Sequence, residues 1–277
     1  MKITLVTYFY NDGIKYLNTF LDSIKKQTHQ AFKLTVFNDG VNNAANYFTN
    51  FTGEIEFVDV SGTPTEIRFQ SFDYLYKTNA EYIIFQDIDD GMTENRVEVL
   101  SELLQKYDIV SNDLSLMDDN GTLYKTAIWS DRLPDLFEFT SDFIKDKNIA
   151  GIGNSGIRKS VLSTPIKYSA LPKVADWFMF YQLMFFSKVK AVFTSKCQTL
   201  YRQHNNNMAG VKTFDEARLT YVIQVKRAHY LGLQEIGIDV TKELTELDKI
   251  ELIIQNKIAI PKDNLFWWEE TNHLVIN

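Results

Sequence analysis

Three carboxylates lie within four residues directly after an apolar run, in the segment QDIDDG at residues 86–91. The side chains of Asp87, Asp89 and Asp90 repel one another at neutral pH unless a cation lies among them. Hard divalent ions such as Mg²⁺ and Mn²⁺ bind carboxylate oxygens and bridge to phosphate groups. The segment therefore predicts a metal-dependent phosphate site, although a solvated acidic turn is an alternative that the same letters allow.

Two further aspartates stand where a chemical role and a structural role both fit. Asp39 follows an apolar run in the letters NDG, which are common at turns for conformational reasons alone. Asp176 directly precedes Trp177 at the start of an aromatic helix pattern, where a carboxylate suits the helix dipole. Apolar neighbours would also raise its pKa, which makes Asp176 a candidate general base.

His204 lies in the polar run YRQHNNN at residues 201–207. The side chains of Arg202, His204 and the asparagines together suit phosphate oxygens and a metal, whereas a plain polar loop is the alternative. The other three histidines have no such neighbours in sequence, so we expect them to be structural or exposed. The aromatic stretch at residues 177–181 is expected in the core. The pair Trp267-Trp268 is expected there too, or at a membrane interface.

The charge balance excludes one class of partner. The chain has 277 residues, with 29 Lys+Arg against 36 Asp+Glu and a formal net charge of −7. Such a protein has no surplus of cations to release counterions from a nucleic-acid backbone, so no nucleic-acid partner is expected. Aromatic residues make up 14% of an otherwise ordinary globular composition, which predicts a ring-rich core or cleft.

The sequence predicts a cytoplasmic protein. Cys197 is the single cysteine, so no intrachain disulfide is possible and a reducing compartment is favoured. The first residues run straight into an apolar strand pattern, without the features of a secretory signal. No apolar run approaches the roughly 20 residues of a bilayer span. Peripheral contact with the inner face of a membrane, and the oligomeric state, stay open.

Strand and helix patterns alternate through the first hundred residues, which predicts an α/β fold with a mostly parallel sheet and helices on both faces. Strands are predicted at 3–9, 33–37, 55–60 and 82–85, and helices at 13–26, 66–77 and 94–106, the last capped by Thr93. Both acidic turns follow predicted strands, at the sheet edge where such folds bind ligands.

The rest of the chain is less regular. Strands are predicted at 109–116, 122–128, 190–194 and 198–202, and helices at 174–187, 214–231 and 240–255. The glycine-rich stretch at 151–156 is predicted to be flexible. We predict a main domain over residues 1–210 and a helical extension over 211–277 that packs on it.

A series of segments in order resembles the family 2 glycosyltransferases of the GT-A fold. These segments are TYFYN at 7–11, LDSIKKQT at 21–28, FNDG at 37–40, AEYIIFQDIDD at 80–90, ADW at 175–177 and YRQHNNN at 201–207. The likeness covers about residues 1–210. It implies a Rossmann-like central sheet flanked by helices, with the DxD motif of that family at residues 87–89.

The resemblance also implies an activity. It implies an inverting transfer of a sugar from a nucleoside-diphosphate sugar, with UDP expected, to a hydroxyl of a glycan or lipid-linked acceptor. Polysaccharide or other surface-glycan synthesis in a bacterium would be the setting. Mn²⁺ or Mg²⁺ is the implied cofactor, and Asp176 is the implied general base. The implied nucleotide contacts are Thr7, Tyr8, Tyr10, Asp39, Arg68, Asp87 and Ile88, the metal ligands Asp89, Asp90 and His204, and the diphosphate or acceptor contacts Arg202, Asn154, Ser155, Gly156 and Trp177.

The sequence departs from the family pattern at four positions. Tyr8 stands where the family usually has Pro, Asn38 where it has Asp, and Val41 where it has Ser. These three surround the expected nucleobase pocket, so the identity of the base stays open. Ala175 stands where the family has Glu, which leaves Asp176 as the sole acid there.

Three alternatives belong to other classes. A phosphohydrolase of the haloacid dehalogenase type also has Asp-x-Asp after an apolar strand, but on the first strand and without the interruption that Asp90 makes. A nucleotidyltransferase would have a glycine-rich, basic loop near the N-terminus, and residues 7–13 are neither. A protein of the same fold that binds a nucleotide-sugar or glycan without turnover stays open.

Overall fold

A mixed sheet flanked by helices forms the body of the protein. The computed structural model describes residues 2–204, 216–254, 258–259, 265–273 and 275–276. The strands of the main sheet are β1 (Ile3–Tyr10), β2 (Phe32–Asp39), β3 (Glu54–Val60), β4 (Tyr82–Phe85), β5 (Gly91–Met92), β6 (Ile109–Met117), β7 (Leu123–Lys125), β8 (Phe137–Phe139), β9 (Ser155–Arg158) and β10 (Ala191–Arg202). A separate pair is formed by β11 (Ile258–Ala259) and β12 (Val275–Ile276).

Helices separate many of these strands. The α-helices are α1 (Leu17–Lys25), α2 (Pro64–Lys77), α3 (Arg96–Leu103), α4 (Ala175–Ser187), α5 (Glu216–Glu235) and α6 (Thr241–Ile254). Short 3₁₀ helices cover Asn11–Tyr16, Ala44–Phe48, Lys159–Ser163 and Glu270–His273.

The long ladders of the sheet are parallel. The strand order is β3-β2-β1-β4-β9-β6-β10-β5, with β7 beside β6 and β8 beside β10. The parallel pairs are β1–β2, β2–β3, β1–β4 and β6–β10, whereas β5, β7, β8 and β9 pair antiparallel over two or three residues at a time. The predicted α/β class with a mostly parallel sheet between helices is therefore confirmed.

Both faces of the sheet are covered, which explains the continuous apolar letters of its strands. Successive side chains of a strand point to opposite faces. Accordingly, Leu5 and Phe9 belong to the hydrophobic cluster that contains side chains of α1 and α3. Val6 and Tyr8 belong to the cluster on the other face, which contains side chains of α2 and α4. β1 thus lies between two apolar layers, whereas β3 at the edge of the sheet is only partly buried.

Two predicted helix starts differ from the structure. The segment predicted as a helix at 13–26 begins as the 3₁₀ helix Asn11–Tyr16 and becomes α-helical only at Leu17. The helix predicted at 94–106 is the shorter α3, and Asn95 rather than Thr93 holds the N-cap position. The Thr93 hydroxyl instead accepts a hydrogen bond from the Gln198 backbone N–H at 3.0 Å, because β10 lies beside it.

Pairing between distant segments also gives some strands limits that differ from the predicted ones. β2 continues through Asn38 and Asp39, since both residues pair with β1 and β3 rather than forming the predicted turn. The two strands predicted at 190–194 and 198–202 are one strand, β10, with an irregularity between Thr194 and Gln198.

The glycine-rich stretch at 151–156 is a buried turn that leads into β9, not the flexible segment that its composition predicted. The Asn154 side chain accepts a hydrogen bond from the Gly151 N–H at 2.8 Å. Its amide donates to Ser111 Oγ at 3.0 Å and to the Asn112 carbonyl at 2.9 Å. Ser155 and Gly156 then pair with β6 in the middle of the sheet.

The helices α5 and α6 pack on the rest of the chain. Ile223, Tyr230 and Leu247 belong to the same hydrophobic cluster as one face of the sheet. The predicted helix at 214–231 is found as α5, with residues 214 and 215 outside the described residues, and the one at 240–255 is found as α6, with residue 255 outside them. The division at residue 210 stays a prediction. Among the described residues, no helix has the length and apolar character needed to cross a membrane.

A buried arginine joins the carboxyl end of β4 to β6. Arg96 lies in the first turn of α3 and is fully buried. Its guanidinium donates to the Phe85 carbonyl at 2.9 Å, to Gln86 Oε1 at 3.0 Å and to Asn112 Oδ1 at 2.7 Å. Burial lowers the pKa of Arg96 to about 10, so it remains a cation at neutral pH.

We expect Arg96→Met to lower the free energy of unfolding by about 3 kcal/mol or more, because three buried acceptors lose their donor. The matched control is Arg227→Met, since Arg227 pairs with Asp248 and Glu251 on the surface of α5 and α6. That substitution should cost less than about 1 kcal/mol. Urea denaturation measures both values, and equal losses would contradict a special role for Arg96.

Candidate active site

A cleft of about 830 Å³ lies at the carboxyl ends of β1 and β4, within the size range of ligand sites. Residues from several parts of the chain line it. They are Tyr10, Asn11, Asp12 and Ile14 to Tyr16 at and after the end of β1, Pro64, Thr65 and Arg68 of α2, Asp87, Asp89 and Asp90 after β4, Leu114 of β6, Asn148, Ile152 and Gly153 before β9, Lys173 to Asp176 at the start of α4, and Thr199, Tyr201 and His204 at the end of β10. Trp267 and Trp268 from the C-terminal part also line it.

The acidic turn after β4 forms one wall of the cleft. Asp87 Oδ1 lies 3.7 Å from Arg68 Nη2. Burial raises the pKa of Asp87 to about 7, against the opposing effect of Arg68, and the neighbouring Asp89 raises it further. Burial also raises the pKa of Asp90, with Asp89 and Asp87 adding to the shift. Burial and the neighbouring carboxylates thus raise the pKa of both Asp87 and Asp90 in this wall.

Asp90 has one satisfied and one unsatisfied oxygen. Its Oδ1 accepts a hydrogen bond from the Arg202 backbone N–H at 2.7 Å. Its Oδ2 is buried and accepts no hydrogen bond from any residue in the described part of the chain. A buried oxygen of this kind normally has a donor or a cation as its partner.

His204 faces the acidic turn from the end of β10. Its Nε2 lies 2.9 Å from Asp89 Oδ2. The imidazole stacks on the Tyr16 ring, with centroids 5.4 Å apart, and the Tyr16 hydroxyl donates to Asp119. The ring of a residue that the sequence analysis missed, Tyr16, thus orients His204 toward Asp89.

Arg202 supports the acidic turn from behind. It is fully buried, and its guanidinium donates to the carbonyls of Asp89 at 2.7 Å and Asp119 at 2.8 Å. The guanidinium carbon also lies 4.6 Å from the centroid of the Tyr16 ring. Arg202 therefore holds backbone in place and is not among the residues that line the cleft.

Asp176 also lines the cleft, in the first turn of α4. The carboxylate accepts hydrogen bonds from the backbone N–H groups of Ile152 at 3.1 Å and Trp177 at 2.7 Å. Burial raises the pKa of Asp176, and these two bonds and the charge of Arg68 oppose that shift. The group is thus a fixed, partly desolvated carboxylate, which is the form suited to accepting a proton.

Arg68 is held by a stacked tyrosine beneath it. A capping box of Thr63 and Glu66 starts α2, with Pro64 in its first turn, and so places Arg68 one turn into the helix. The guanidinium carbon lies 3.3 Å from the centroid of the Tyr8 ring, and the Tyr8 hydroxyl is bonded to Ser71 Oγ at 2.6 Å. Tyr8 therefore positions the one arginine among the residues described as lining the cleft.

Two glycines keep space beside the carboxylates. A Cβ atom at Gly153 would lie 2.7 Å from Asp87 Oδ2 and 3.5 Å from Asp90 Oδ2. A Cβ atom at Gly151 would lie 2.9 Å from Asp176 Oδ2 and 3.0 Å from Trp267 Cζ3. Any larger residue at either position would fill the space in front of the acids.

The structure brings together some of the residues named from the sequence and places others elsewhere. Those that line the cleft are Tyr10, Arg68, Asp87, Asp89, Asp90, Asp176 and His204. Those that are not among its lining residues are Thr7, Tyr8, Asp39, Ile88, Asn154, Ser155, Gly156, Trp177 and Arg202. Their implied roles in binding stay predictions.

Several of the residues that do not line the cleft have clear structural roles. Thr7 and Ile88 are fully buried, and Asp39 ends β2 beside Tyr10 of β1. Trp177 is buried with its indole donating to the Ile144 carbonyl at 2.6 Å and its ring stacked on His229 at 3.8 Å. The asparagines at 205–207 of the polar run lie outside the described residues.

Sequence reasoning missed Tyr16 and Trp267 in this cleft. Tyr16 lies in a segment whose apolar spacing predicted only a helix. Gly153 belongs to the glycine-rich stretch at 151–156 that the sequence analysis singled out, and it does line the cleft. For Trp267 the only signal in the sequence is its residue type, because nothing there relates it to residues more than ninety positions earlier.

The acidic wall fits a divalent cation that is shared with a bound phosphate. Within the part of the chain that the structure describes, no three His, Cys, Asp or Glu side chains form a complete metal-binding group. Asp89 and His204 nevertheless converge, and the free Oδ2 of Asp90 lies in the same turn. Mg²⁺ and Mn²⁺ at nucleotide sites take one or two carboxylates, with phosphate and water as their other ligands. The residues present are consistent with that arrangement.

Comparisons with known proteins identify the fold. No protein-family model matches the sequence, and neither does any curated protein. Among solved structures, S. aureus TarS 1–349 matches at 14% identity and a TM-score of 0.57, over 91% of this chain and 79% of that one. Its complex with UDP-GlcNAc matches at 13% identity and 0.58, over 91% and 80%.

A second glycosyltransferase matches as well. The mannosyltransferase PcManGT from Pyrobaculum calidifontis, in complex with GDP-Man and Mn²⁺, matches at 10% identity and a TM-score of 0.61, over 91% of this chain and 69% of that one. At such low identity these likenesses show the fold alone. The chain has the GT-A-like fold of these glycosyltransferases, as the sequence predicted.

We expect the Asp87 carboxyl to titrate at about pH 7 in the folded protein, far above an ordinary aspartate. Arg68→Met should raise this pKa further, because it removes the cation that opposes burial, whereas Arg68→Lys should keep it near the wild-type value. Carbon-13 NMR of the side-chain carboxyls, assigned with Asp87→Asn, measures both shifts. Titration of Asp87 near pH 4 in the wild-type protein would contradict the description of this wall.

Proposed function

We propose that this protein is an inverting glycosyltransferase of the family 2 type. In this proposal it moves a sugar from a nucleoside-diphosphate sugar, with UDP as the nucleotide, to a hydroxyl of a glycan or lipid-linked acceptor. The observation that carries the proposal is one cleft that is lined by the Asp89–His204 pair and by Asp176. Support comes from the GT-A-like fold and from the nucleotide-sugars that the structures of similar fold contain.

The donor would lie along the acidic turn and the end of β1. Tyr10 and Arg68 both line the cleft beside Asp87. A guanidinium so placed suits a negatively charged nucleotide, and a carboxyl with a raised pKa suits hydrogen bonding to a ribose hydroxyl. Asp39 ends the neighbouring strand and is the proposed contact to the base.

Asp89 and His204, with Asp90 as a possible third ligand, would hold Mn²⁺ or Mg²⁺ against the diphosphate. Carboxylate oxygens and an imidazole nitrogen suit Mn²⁺ in particular. When bound, the ion offsets the charge that develops on the leaving nucleoside diphosphate. In this proposal the Arg202 guanidinium keeps the backbone of Asp89 in position for that role.

Asp176 would act as the general base. It takes the proton from the acceptor hydroxyl while that oxygen forms a bond to the anomeric carbon of the donor sugar. The bond from this carbon to the diphosphate oxygen breaks, and the nucleoside diphosphate leaves with the electron pair. Attack on the face opposite the leaving group inverts the configuration. The N–H groups of Ile152 and Trp177 would hold the carboxylate in line for this step.

The proposed setting is the cytoplasm, at the inner face of a membrane where surface-glycan precursors are made. The single cysteine, Cys197, is buried and free, which is consistent with a reducing compartment.

Two measurements test the proposal as a whole. A thermal-shift panel of UDP- and GDP-sugars with Mn²⁺ should raise the melting temperature for one nucleotide class, since ligands stabilise the state that they bind. Release of nucleoside diphosphate that depends on an acceptor then separates an enzyme from a protein that only binds nucleotide-sugars. If the protein binds nucleotide-sugars but releases no nucleoside diphosphate with any acceptor of a panel, the result would favour the alternative of a binding protein without turnover.

We expect Asp176→Asn to lower kcat for sugar transfer by about 10²–10⁴-fold, because an amide cannot accept the acceptor proton. Affinity for the nucleotide should stay near wild type, since Asp176 is not among the residues proposed to contact the nucleotide. Asp73→Asn is the control, because Asp73 is exposed on α2 away from the cleft. Product formation and nucleotide titration are the measurements, and turnover like wild type would remove Asp176 from the mechanism.

We expect excess EDTA to stop transfer and added Mn²⁺ to restore it. Asp89→Ala should be inactive even in Mn²⁺, because it removes the carboxylate that faces His204. Asp73→Ala should behave as wild type in all three conditions. Product assays in EDTA, in Mn²⁺ and in EDTA followed by Mn²⁺ make the comparison. Full activity of the wild-type protein in EDTA would overturn the metal assignment.

A further inference from the structure

A segment from the C-terminal part of the chain completes the cleft on the side of Asp176. We call residues 265–273 the C-terminal strap. Trp267 and Trp268 of the strap line the cleft together with Asp176. Trp267 Cζ3 and Asp176 Oδ2 both lie within 3.0 Å of one point, the position of a Cβ atom at Gly151. The indole is therefore an immediate neighbour of the proposed base.

The strap is fastened by ion pairs and backbone bonds. Glu269 accepts from both arms of the Arg132 guanidinium, one of them at 2.8 Å, and Glu270 pairs with Arg218 at 2.7 Å. Trp267 exchanges two backbone hydrogen bonds with Asn148, at 2.8 and 3.1 Å. The Arg132–Glu269 pair is bidentate and both glutamates are buried, so these contacts hold one geometry and the strap presents Trp267 at a fixed position.

The backbone at the cleft is strained. Trp268 has a φ of +68°, a left-handed conformation that is rare for a bulky residue. Such a residue persists only where its surroundings hold it, and strain of this kind concentrates at binding sites. Trp268 is buried beneath the Arg218 guanidinium, whose central carbon lies 5.2 Å from the ring centroid. The strain thus turns the chain so that two successive tryptophans both reach the cleft.

Two other rings contact Trp267. The Trp129 ring lies at 85° to it with centroids 4.8 Å apart, and the Tyr201 ring lies at 72° to it with centroids 5.9 Å apart. Trp267 is nevertheless only half-buried and lines the cleft. An indole fixed in this way offers a rigid apolar surface at little entropic cost to a ligand.

We infer that the C-terminal strap forms the acceptor subsite and that Trp267 stacks against a sugar ring of the acceptor. The C–H face of a pyranose matches an indole, while its hydroxyls project outward at the ring edge. A ring stacked on Trp267 would present one of those hydroxyls to Asp176. The inference rests on the proposed function and narrows its acceptor to a saccharide, as opposed to a lipid or polyol hydroxyl.

Binding of simple sugars tests the inference without any need for turnover. Saturation-transfer NMR on the full chain uses methyl pyranosides of glucose, galactose, mannose and N-acetylglucosamine as probes. In the wild-type protein the ring C–H protons of at least one pyranoside should receive saturation. Trp267→Ala should weaken that binding by about tenfold or more, and Trp267→Phe should stay within about threefold of wild type.

Two controls separate binding from structure. Tyr76→Ala removes an exposed ring on α2 outside the cleft and should leave pyranoside binding unchanged. Glycerol, which has hydroxyls but no ring, should show no difference between wild type and Trp267→Ala. Melting temperatures of the variants show whether Trp267→Ala is folded, and the milder Trp267→Phe keeps the comparison available if it is not.

Kinetics with the most tightly bound pyranoside as acceptor then distinguish failure of this inference from failure of the proposed function. We expect Trp267→Ala to raise the KM for the acceptor by about tenfold or more. The KM for the donor should change much less than the KM for the acceptor, because the donor is proposed to lie along the acidic turn. Acceptor binding and KM like wild type in Trp267→Ala would overturn the inference, as would a wild-type protein that binds no pyranoside. Failure of the wild-type protein to bind or use any nucleotide-sugar would instead overturn the proposed function, whatever Trp267 does.

Discussion

Repulsion among the aspartates of one cleft is the constraint on which this structure depends. Carboxylates from the turn after β4 and from the start of α4 share a partly desolvated space, and their pKa values are raised as a result. The protein offsets this charge with three arginines. Arg68 lies beside Asp87 in the cleft, while Arg96 and Arg202 are buried and donate to the carbonyls of Phe85 at the end of β4 and of Asp89 in the turn. Among the described residues none donates to Asp90 Oδ2, and a cation from outside would complete the compensation there.

Each arginine comes from a different element, which explains why the whole sheet is needed for the site. α2 supplies Arg68, α3 supplies Arg96 and the end of β10 supplies Arg202. Parallel β1 and β4 bring Tyr10 and the acidic turn to the same edge. The proposed donor site and the proposed proton acceptor, Asp176, line the same cleft, and the C-terminal strap lines it beside Asp176, where we place the acceptor. The fold thus gathers carboxylates that repel one another at a place where a cation and a charged ligand could bind together.

Local patterns were sufficient for much of the fold. The first four strands were predicted nearly to the residue, because burial on both faces leaves a continuous apolar run. The predictions were wrong where contacts with distant segments decide the local structure. Thr93 was predicted as a helix cap, but its hydroxyl accepts a hydrogen bond from the Gln198 backbone N–H in β10. The stretch at 151–156 was predicted to be flexible, but the Asn154 side chain and the strands beside it bury that turn.

The sequence by itself determined the chemistry available: carboxylates after a buried strand, an aspartate at a helix start and a histidine after a strand. Such features are local, since residue type and strand ends can be read over a few positions. Only the tertiary structure decided which of them meet. It turned Arg202 away from the cleft to hold backbone, and it brought Trp267 beside Asp176 from far along the chain. These outcomes depend on long-range packing and on which buried acceptor each donor satisfies, and neither is encoded in the spacing of residues.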